Sequence, residues 1–451
     1  MVTGENLGRF LVKTFNKISP LGLARFDPLK YQIIPADSEA AKEGIAHAIL
    51  LRSHKLTESD VPIMCRAIAR CGAGTNNCNV ERMTELGVPV FNTPGANANA
   101  VKELVLCGLL LASRGIVEGA AHMKQLHEAG TAHERIEKDK ALFGGREITG
   151  KTLGVIGLGA IGAAVTEAAI ALGMRVVGYD PALSVEAALR LPGTANDFKV
   201  TTDLGEICST ADYVTLHAPY IKNVTHHLIG HAQLAAMKPD ACLLNFARGE
   251  LVDTDALEAR YRSGASGRYV CDFALPPDLA ERENVISIPH LGASTAEAEE
   301  NAASMAADTV KTFLETGSIV NSVNFPTTSL SSRPDSINRI CIVNENRPGM
   351  LGEIMSLFGS SQINILQQIN ASRGDIAYNV IDIEKPGPAA DVTTFNFKSW
   401  DALQSALTAI PGVKSTRFIM GNAGAGYAIK LDEEIHGIGV RKPIRPTLAH
   451  P

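Results

Sequence analysis

The apolar positions fall into short runs separated by helical stretches, most clearly over Lys151–Asp180, KTLGVIGLGAIGAAVTEAAIALGMRVVGYD. Leu153–Leu158 is a short apolar run of the kind that makes a buried parallel strand, and Arg175–Tyr179 a second one. A helical run of small residues joins them. Upstream, Phe10–Thr14, Ile45–Leu51, Ala67–Arg70 and Val88–Asn92 also read as strands. Downstream, Ala211–Ala218, Leu243–Phe246, Arg268–Phe273 and Val285–Pro289 do the same, with a helix over Asp255–Ser263. Strands alternating with helical runs predict parallel sheets. Ala98–His127 predicts one long helix with a mostly apolar face, followed by a polar loop. Thr295–Leu314 predicts a helix rich in Ala and Glu.

The pattern changes after Leu314. Ser318–Ser336 is dominated by Ser, Thr and Pro and predicts a linker. Strands then follow over Arg339–Val343, Ile363–Asn370, Ala377–Ile383 and Val413–Ile419, with helices over Leu351–Gly359 and Asp401–Ala409. That βαββαβ order is ferredoxin-like. The tail Gly421–Pro451 is Gly-rich, then charged, then Pro-rich, and predicts a surface segment.

Composition narrows the function classes. The chain has 451 residues, enough for several domains, and a net charge of −6. No basic face argues for nucleic acid. The eight cysteines form no C-x-x-C pair and read as reduced, mostly buried thiols of a cytoplasmic protein, with no metal site. No apolar run reaches the ~18 residues that a membrane span needs, and no apolar leader follows Met1.

The candidate chemistry begins at the first strand of Lys151–Asp180. Gly157, Gly159 and Gly162 stand in a G-x-G-x-x-G pattern between a strand and a helix. The first permits a tight turn, the second lets backbone approach a pyrophosphate, and the third lets the helix pack on the sheet. A pyrophosphate there faces unpaired N–H groups at the helix start. Asp180 closes the second strand, where it would accept from both ribose hydroxyls and repel a 2′-phosphate, favouring NAD over NADP.

Three further residues stand at strand ends. Arg248, in Asn245-Phe-Ala-Arg248-Gly249, offers a rigid fork of donors suited to a carboxylate; it could also pair with a neighbouring acid. Asp272 could accept from a nicotinamide carboxamide or simply cap a loop. His290, in Pro289-His290-Leu291-Gly292, can act as acid or base near neutrality. Together with a nicotinamide, an arginine and a histidine describe a 2-hydroxy acid as substrate: Arg248 grips the carboxylate, and His290 takes the hydroxyl proton as hydride leaves to NAD⁺.

With these residues in view, the chain resembles the D-2-hydroxyacid dehydrogenases, and within them the phosphoglycerate branch with a C-terminal ACT domain. The motifs are RSHKL (52–56), GAGTNN (72–77), NTPGANANAVKELVL (92–106), GVIGLGAIG (154–162), NFARGELVD (245–253), PHLGAST (289–295) and NENRPGML (344–351). The resemblance implies a Rossmann-like nucleotide domain (97–291) inserted in a discontinuous, flavodoxin-like substrate domain (1–96 and 292–317). A linker (318–336), a ferredoxin-like ACT domain (337–420) and the tail (421–451) complete the chain. It implies NAD-dependent oxidation of D-3-phosphoglycerate to 3-phosphohydroxypyruvate, the entry to serine biosynthesis. A dehydrogenase for another D-2-hydroxy acid and a non-catalytic NADH-sensing scaffold stand as alternatives.

Residue by residue, the resemblance makes Arg248 and His290 catalytic, and places Arg52, Ser53, Gly74 and Asn97 at the substrate. It places Gly157, Leu158, Gly159, Ala160, Ile161, Gly162, Asp180, Pro219, Thr225, Ala247, Asp272 and Gly292 around the cofactor. Lys55 beside Arg52 suits an anionic substrate. Asn344, Asn346 and Asn364 fall where the family contacts an amino-acid effector, here L-serine. A homodimer or homotetramer is implied by analogy. One departure stands out. The family carries a glutamate that bonds the catalytic histidine, and the matching position in Asp272-Phe-Ala-Leu-Pro276-Pro277-Asp278 is Pro277. His290 is therefore expected to work without a carboxylate partner, rather than with Asp278, Glu281 or Glu283 folded back onto it.

Overall fold

A computed structural model of the chain describes residues 9–192, 197–330, 337–384 and 400–419. The chain divides into two compact units, one made of 1–96 with 299–451 and the other of 97–298. The tail 421–451 and the end of the expected linker, 331–336, lie outside the described residues.

The first unit opens with a five-stranded sheet of β1 (Phe10–Thr14), β2 (Tyr31–Pro35), β3 (Ala48–Leu51), β4 (Ala67–Arg70) and β5 (Val90–Phe91). The order is β2-β1-β3-β4-β5 and every pair is parallel, which is flavodoxin-like. Its middle strand reads Ala-Ile-Leu-Leu because both faces are covered. Ala48 and Leu50 join the core that holds Ala303, Ala306, Ala307 and Val310, while Ile49 and Leu51 face Met83 and Val90. Those alanines lie on the helix Ala296–Thr316, where small side chains allow close approach. A Cβ on Gly22 would fall 2.4 Å from that of Ala303.

A second sheet in the same unit contains β13 (Ile337–Glu345), β14 (Ile365–Arg373), β15 (Ile376–Glu384) and β16 (Val413–Ile419). It is antiparallel in the order β14-β15-β13-β16, the ferredoxin-like arrangement. One face packs on the helices Met350–Ser360 and Trp400–Ala409 through Ile340, Ile342, Ile381, Phe358 and Leu407. The other contributes Cys341, Val343, Tyr378 and Val380 to the core that contains Phe313 and Phe325. Residues 318–330 differ from the linker expected of them. Ile319, Phe325 and Thr328 are buried, and the Asn324 amide bonds Val90, Val88 and Thr84. The Ser and Thr content that suggested a linker serves instead as a set of local hydrogen bonds.

The second unit holds seven parallel strands: β6 (Thr152–Ile156), β7 (Arg175–Tyr179), β8 (Phe198–Thr201), β9 (Tyr213–Leu216), β10 (Cys242–Asn245), β11 (Tyr269–Cys271) and β12 (Val285–Ser287). Their order is β12-β11-β10-β9-β6-β7-β8. The chain reverses direction across the sheet between β6 and β9, so a switch point opens beside the end of β6. The expected single helix over Ala98–His127 is two, Ala98–Ser113 and Ile116–Glu128, bent by 67°. Arg114 is extended, and Gly115 sits where a Cβ would lie 3.0 Å from Phe143 backbone. The polar loop that follows also carries a helix, Ala132–Asp139, whose last acid is buried against His122 and Arg135. No single described helix is long and apolar enough to cross a membrane.

Candidate active site

In the second unit, the glycine turn sits at the switch point. Gly157 has φ +94, and a Cβ there would fall 2.6 Å from the His217 carbonyl carbon at the end of β9. Gly162, in the first turn of the helix Ala160–Ala171, lies so close to the glycine turn that a Cβ would fall 1.9 Å from the Gly157 oxygen. Around Gly159, by contrast, a Cβ would meet nothing within 4 Å. Two of these glycines are therefore required by the protein's own packing, and the third leaves open space at a helix start with no side-chain cap. That space is what a pyrophosphate facing free N–H groups requires. Asp180 stands just past β7, its carboxylate accepting from Leu158 N at 2.9 Å and from Ala182 N at 2.9 Å. The bonds fix the acid over the turn that carries Leu158, Ala160 and Ile161.

Thr225 closes the loop after β9. Its hydroxyl donates to Pro219 O at 2.7 Å and accepts from Ile221 N at 2.7 Å. At the end of β10, Arg248 is exposed, and its guanidinium donates to Ala247 O at 2.6 Å. No ion pair to Arg248 occurs among the described residues. Asn245, fully buried, shapes this turn. Its amide donates to Arg248 O at 2.8 Å and accepts from Ala247 N at 3.2 Å.

Asp272 ends β11 and is 1% exposed. One carboxylate oxygen accepts from Gly292 N at 3.2 Å; the other is buried with no hydrogen-bond partner among the described residues. Burial pushes its pKa above the usual carboxylate value, and the nearby charge of His290 opposes that. His290 itself is exposed, with the Phe273 ring edge-on at 5.3 Å. No ion pair to the His290 ring occurs among the described residues. Asp278, Glu281 and Glu283 do not fold back onto it. Pro277 instead starts a helical turn, Pro277–Ala280, that buries Leu279. Gly292 is buried, with room for a Cβ limited by Val101 and Asp272. Asn97 precedes the helix Ala98–Ser113 without capping it.

In the first unit, Arg52 and Ser53 follow β3 directly. Asn16, in the left-handed region at φ +66, gathers this loop, its side-chain oxygen accepting from Ser53 N at 3.0 Å and His54 N at 2.8 Å. Asn77 donates to Arg52 O and His54 O, which ties the loop to the segment containing Gly74. The Arg52 guanidinium pairs with Glu299 at 2.5 Å. Lys55 is exposed. In the ferredoxin-like sheet, Asn344 is buried, donating to Glu345 O and accepting from Asn379, which in turn accepts from Asn370. Asn346 and Asn364 are exposed.

Sequence reasoning missed Asn245, Asn16, Asn77 and Glu299. The first three act on backbone groups of residues already singled out, and only Asn245 carried a local signal, as the last residue of an apolar strand. His217 was missed too. It stands beside Gly157 with its ring bonded to Thr215, and burial lowers its pKa to about 3.

Residues 109–292 match the model of the D-isomer specific 2-hydroxyacid dehydrogenase NAD-binding domain. The D-3-phosphoglycerate dehydrogenase of Haemophilus influenzae is 33% identical over 382 residues, covering 81% of this chain and 88% of that one. The chain belongs to the D-2-hydroxyacid dehydrogenase family. Within it, the chain falls among the D-3-phosphoglycerate dehydrogenases, since that of Escherichia coli K12 is 33% identical over 417 residues, 89% of this chain and 94% of its own. The NAD⁺-bound 3-phosphoglycerate dehydrogenase of Entamoeba histolytica shares the fold, with a TM-score of 0.54 at 22% identity over 70% of this chain and 99% of that one. The dehydrogenase is an NAD-dependent oxidoreductase, and the open space at Gly159 with Asp180 over the turn fits that cofactor.

Proposed function

We propose that this dehydrogenase oxidises D-3-phosphoglycerate to 3-phosphohydroxypyruvate, the first step of L-serine biosynthesis. The observation that supports this most is the row of side chains at the ends of adjacent strands β10, β11 and β12: Arg248, Asp272 and His290. Arg248 has no carboxylate partner among the described residues, so its fork is available to a substrate carboxylate. His290 is exposed and offers a ring nitrogen to the substrate hydroxyl proton. Arg52, with Ser53, Gly74 and Asn97, receives the rest of the anionic substrate, and Lys55 adds positive charge.

Gly157 to Gly162 would hold the pyrophosphate, and Asp180 the adenine ribose. Pro219, Thr225, Ala247, Asp272 and Gly292 would surround the nicotinamide end. When bound, NAD⁺ supplies the hydride acceptor. Asp272 then uses its unpartnered oxygen as an acceptor for a carboxamide, which relieves a buried acceptor that otherwise has none. Asp180 selects against a 2′-phosphate by like charge.

In the ferredoxin-like sheet, Asn364 and the side-chain oxygen of Asn346 are the groups offered to an L-serine effector, because the Asn344 amide is engaged on both sides and the Asn346 amide nitrogen donates to Gly374 O. The expected assembly is a cytoplasmic homodimer or homotetramer.

The test is steady-state kinetics on purified variants. His290→Ala lowers kcat by roughly 10²–10⁴-fold with little change in melting temperature, since the ring is exposed and forms no ion pair among the described residues. Arg248→Gln raises KM for the hydroxy acid. Full activity in either variant would contradict the assignment.

A further inference from the structure

We propose that Glu299 is a specificity-determining residue, a built-in counter-ion that competes with the substrate's anionic group for Arg52. The proposal rests on the reading that Arg52 lines the substrate site. The Arg52 guanidinium lies 2.5 Å from the Glu299 carboxylate, with the two side chains 40% and 41% exposed. Neither is buried away from a ligand, and both keep access to solvent.

The pair is not an accident of two flexible side chains, because both backbones are fixed. The Arg52 loop is gathered by Asn16 and Asn77. Glu299 stands on the first turn of the helix Ala296–Thr316, and that helix is held along its length. Asp308 pairs with Arg25, and Glu315 accepts from the Tyr31 hydroxyl at 2.6 Å. Its last carbonyls are held by the ferredoxin-like sheet. Arg417 donates to Phe313 O at 2.7 Å, Arg339 to Thr316 O at 2.8 Å and Tyr378 to Gly317 O at 2.7 Å. The carboxylate is thus presented to Arg52 at a set position.

The consequence is selective. An exposed pair of this kind is weak, so a phosphate dianion displaces Glu299 from Arg52, whereas a neutral hydroxymethyl group gains nothing by doing so. Every anion that uses Arg52 must overcome the resident carboxylate. A substrate that ignores Arg52 does not meet it.

Glu299→Gln removes the charge and keeps the shape. The expected result is a KM for 3-phosphohydroxypyruvate lowered about two- to fivefold, with kcat within about twofold and KM for unphosphorylated hydroxypyruvate unchanged. Arg52→Gln should raise KM for the phosphorylated substrate by roughly tenfold or more, and Glu299→Gln should have no further effect in that background. An equal change for both substrates, or a Glu299→Gln effect that survives in Arg52→Gln, overturns the proposal. No effect of Glu299→Gln while Arg52→Gln is strong also overturns it and leaves the Arg52 assignment standing. No effect of Arg52→Gln overturns both.

Discussion

Gly159 and Gly162 differ in what a methyl group would meet. At Gly162 it strikes backbone at 1.9 Å, and at Gly159 it meets open space. Gly159→Ala should therefore keep the melting temperature within about 2 °C while weakening NAD binding by roughly tenfold or more. Gly162→Ala should lower stability itself. Calorimetry with and without NAD separates the two. The spacing of the glycines was legible in the sequence, but their division of labour was not, because it depends on the Gly157 carbonyl and on His217 folding beside it. The asparagines at 16 and 77 were illegible for a related reason. Their partners are backbone atoms tens of residues away.

His47 gives the residue scale a pH dependence. Its Nδ1 accepts from Leu11 N at 2.8 Å, and burial lowers its pKa from 6.5 to about 3. Below about pH 6.5 the unfolded chain takes up a proton that the folded chain refuses until about pH 3. Stability therefore falls as pH falls through that window, by up to ~1.4 kcal/mol per pH unit for each such histidine. His217 contributes in the same direction. The melting temperature should be lower at about pH 5 than at about pH 7.5, and His47→Gln should narrow the difference.

Among the elements, the sheet of β13 to β16 holds the charged side chains of Arg339, Asp382 and Arg417 buried. Arg339 and Asp382 are 1% and 0% exposed and form a two-point pair at 2.7 and 2.8 Å. Gln367 adds a third bond to the same carboxylate. Asp382→Ala should cost about 3–5 kcal/mol, because it leaves the guanidinium buried without its counter-charge. Replacing both with apolar residues of similar volume should recover most of that loss, which urea unfolding of the two variants measures. The βαββαβ order was readable from periodicity alone. That its second face would be buried was not, since β15 carries Asp382 there, which looks like a solvent-facing position until its cross-strand partner Arg339 is known. The bend at Arg114-Gly115 was likewise hidden within a run whose apolar face continues on both sides.

For the molecule as a whole, the parallel character of both sheets followed from strand and helix alternation, while their Rossmann-like and flavodoxin-like forms came with the family resemblance. The cofactor followed from the glycine turn and Asp180. The pairing of Arg52 with Glu299 did not, because 247 positions separate two residues that only the return of the helix Ala296–Thr316 brings together. The departure at Pro277 was legible and keeps its significance: the structure leaves His290 with no acid in ion-pair reach among the described residues. Its charge acts on the buried Asp272, whose pKa burial raises. The central claim is that this site turns over a phosphorylated 2-hydroxy acid with NAD. The direct measurement is the rate of NADH consumption by the full chain with 3-phosphohydroxypyruvate, against hydroxypyruvate and against NADPH. The account predicts rapid oxidation of NADH with formation of D-3-phosphoglycerate, and slower turnover for both alternatives. No turnover, or faster turnover of the unphosphorylated acid, would contradict it.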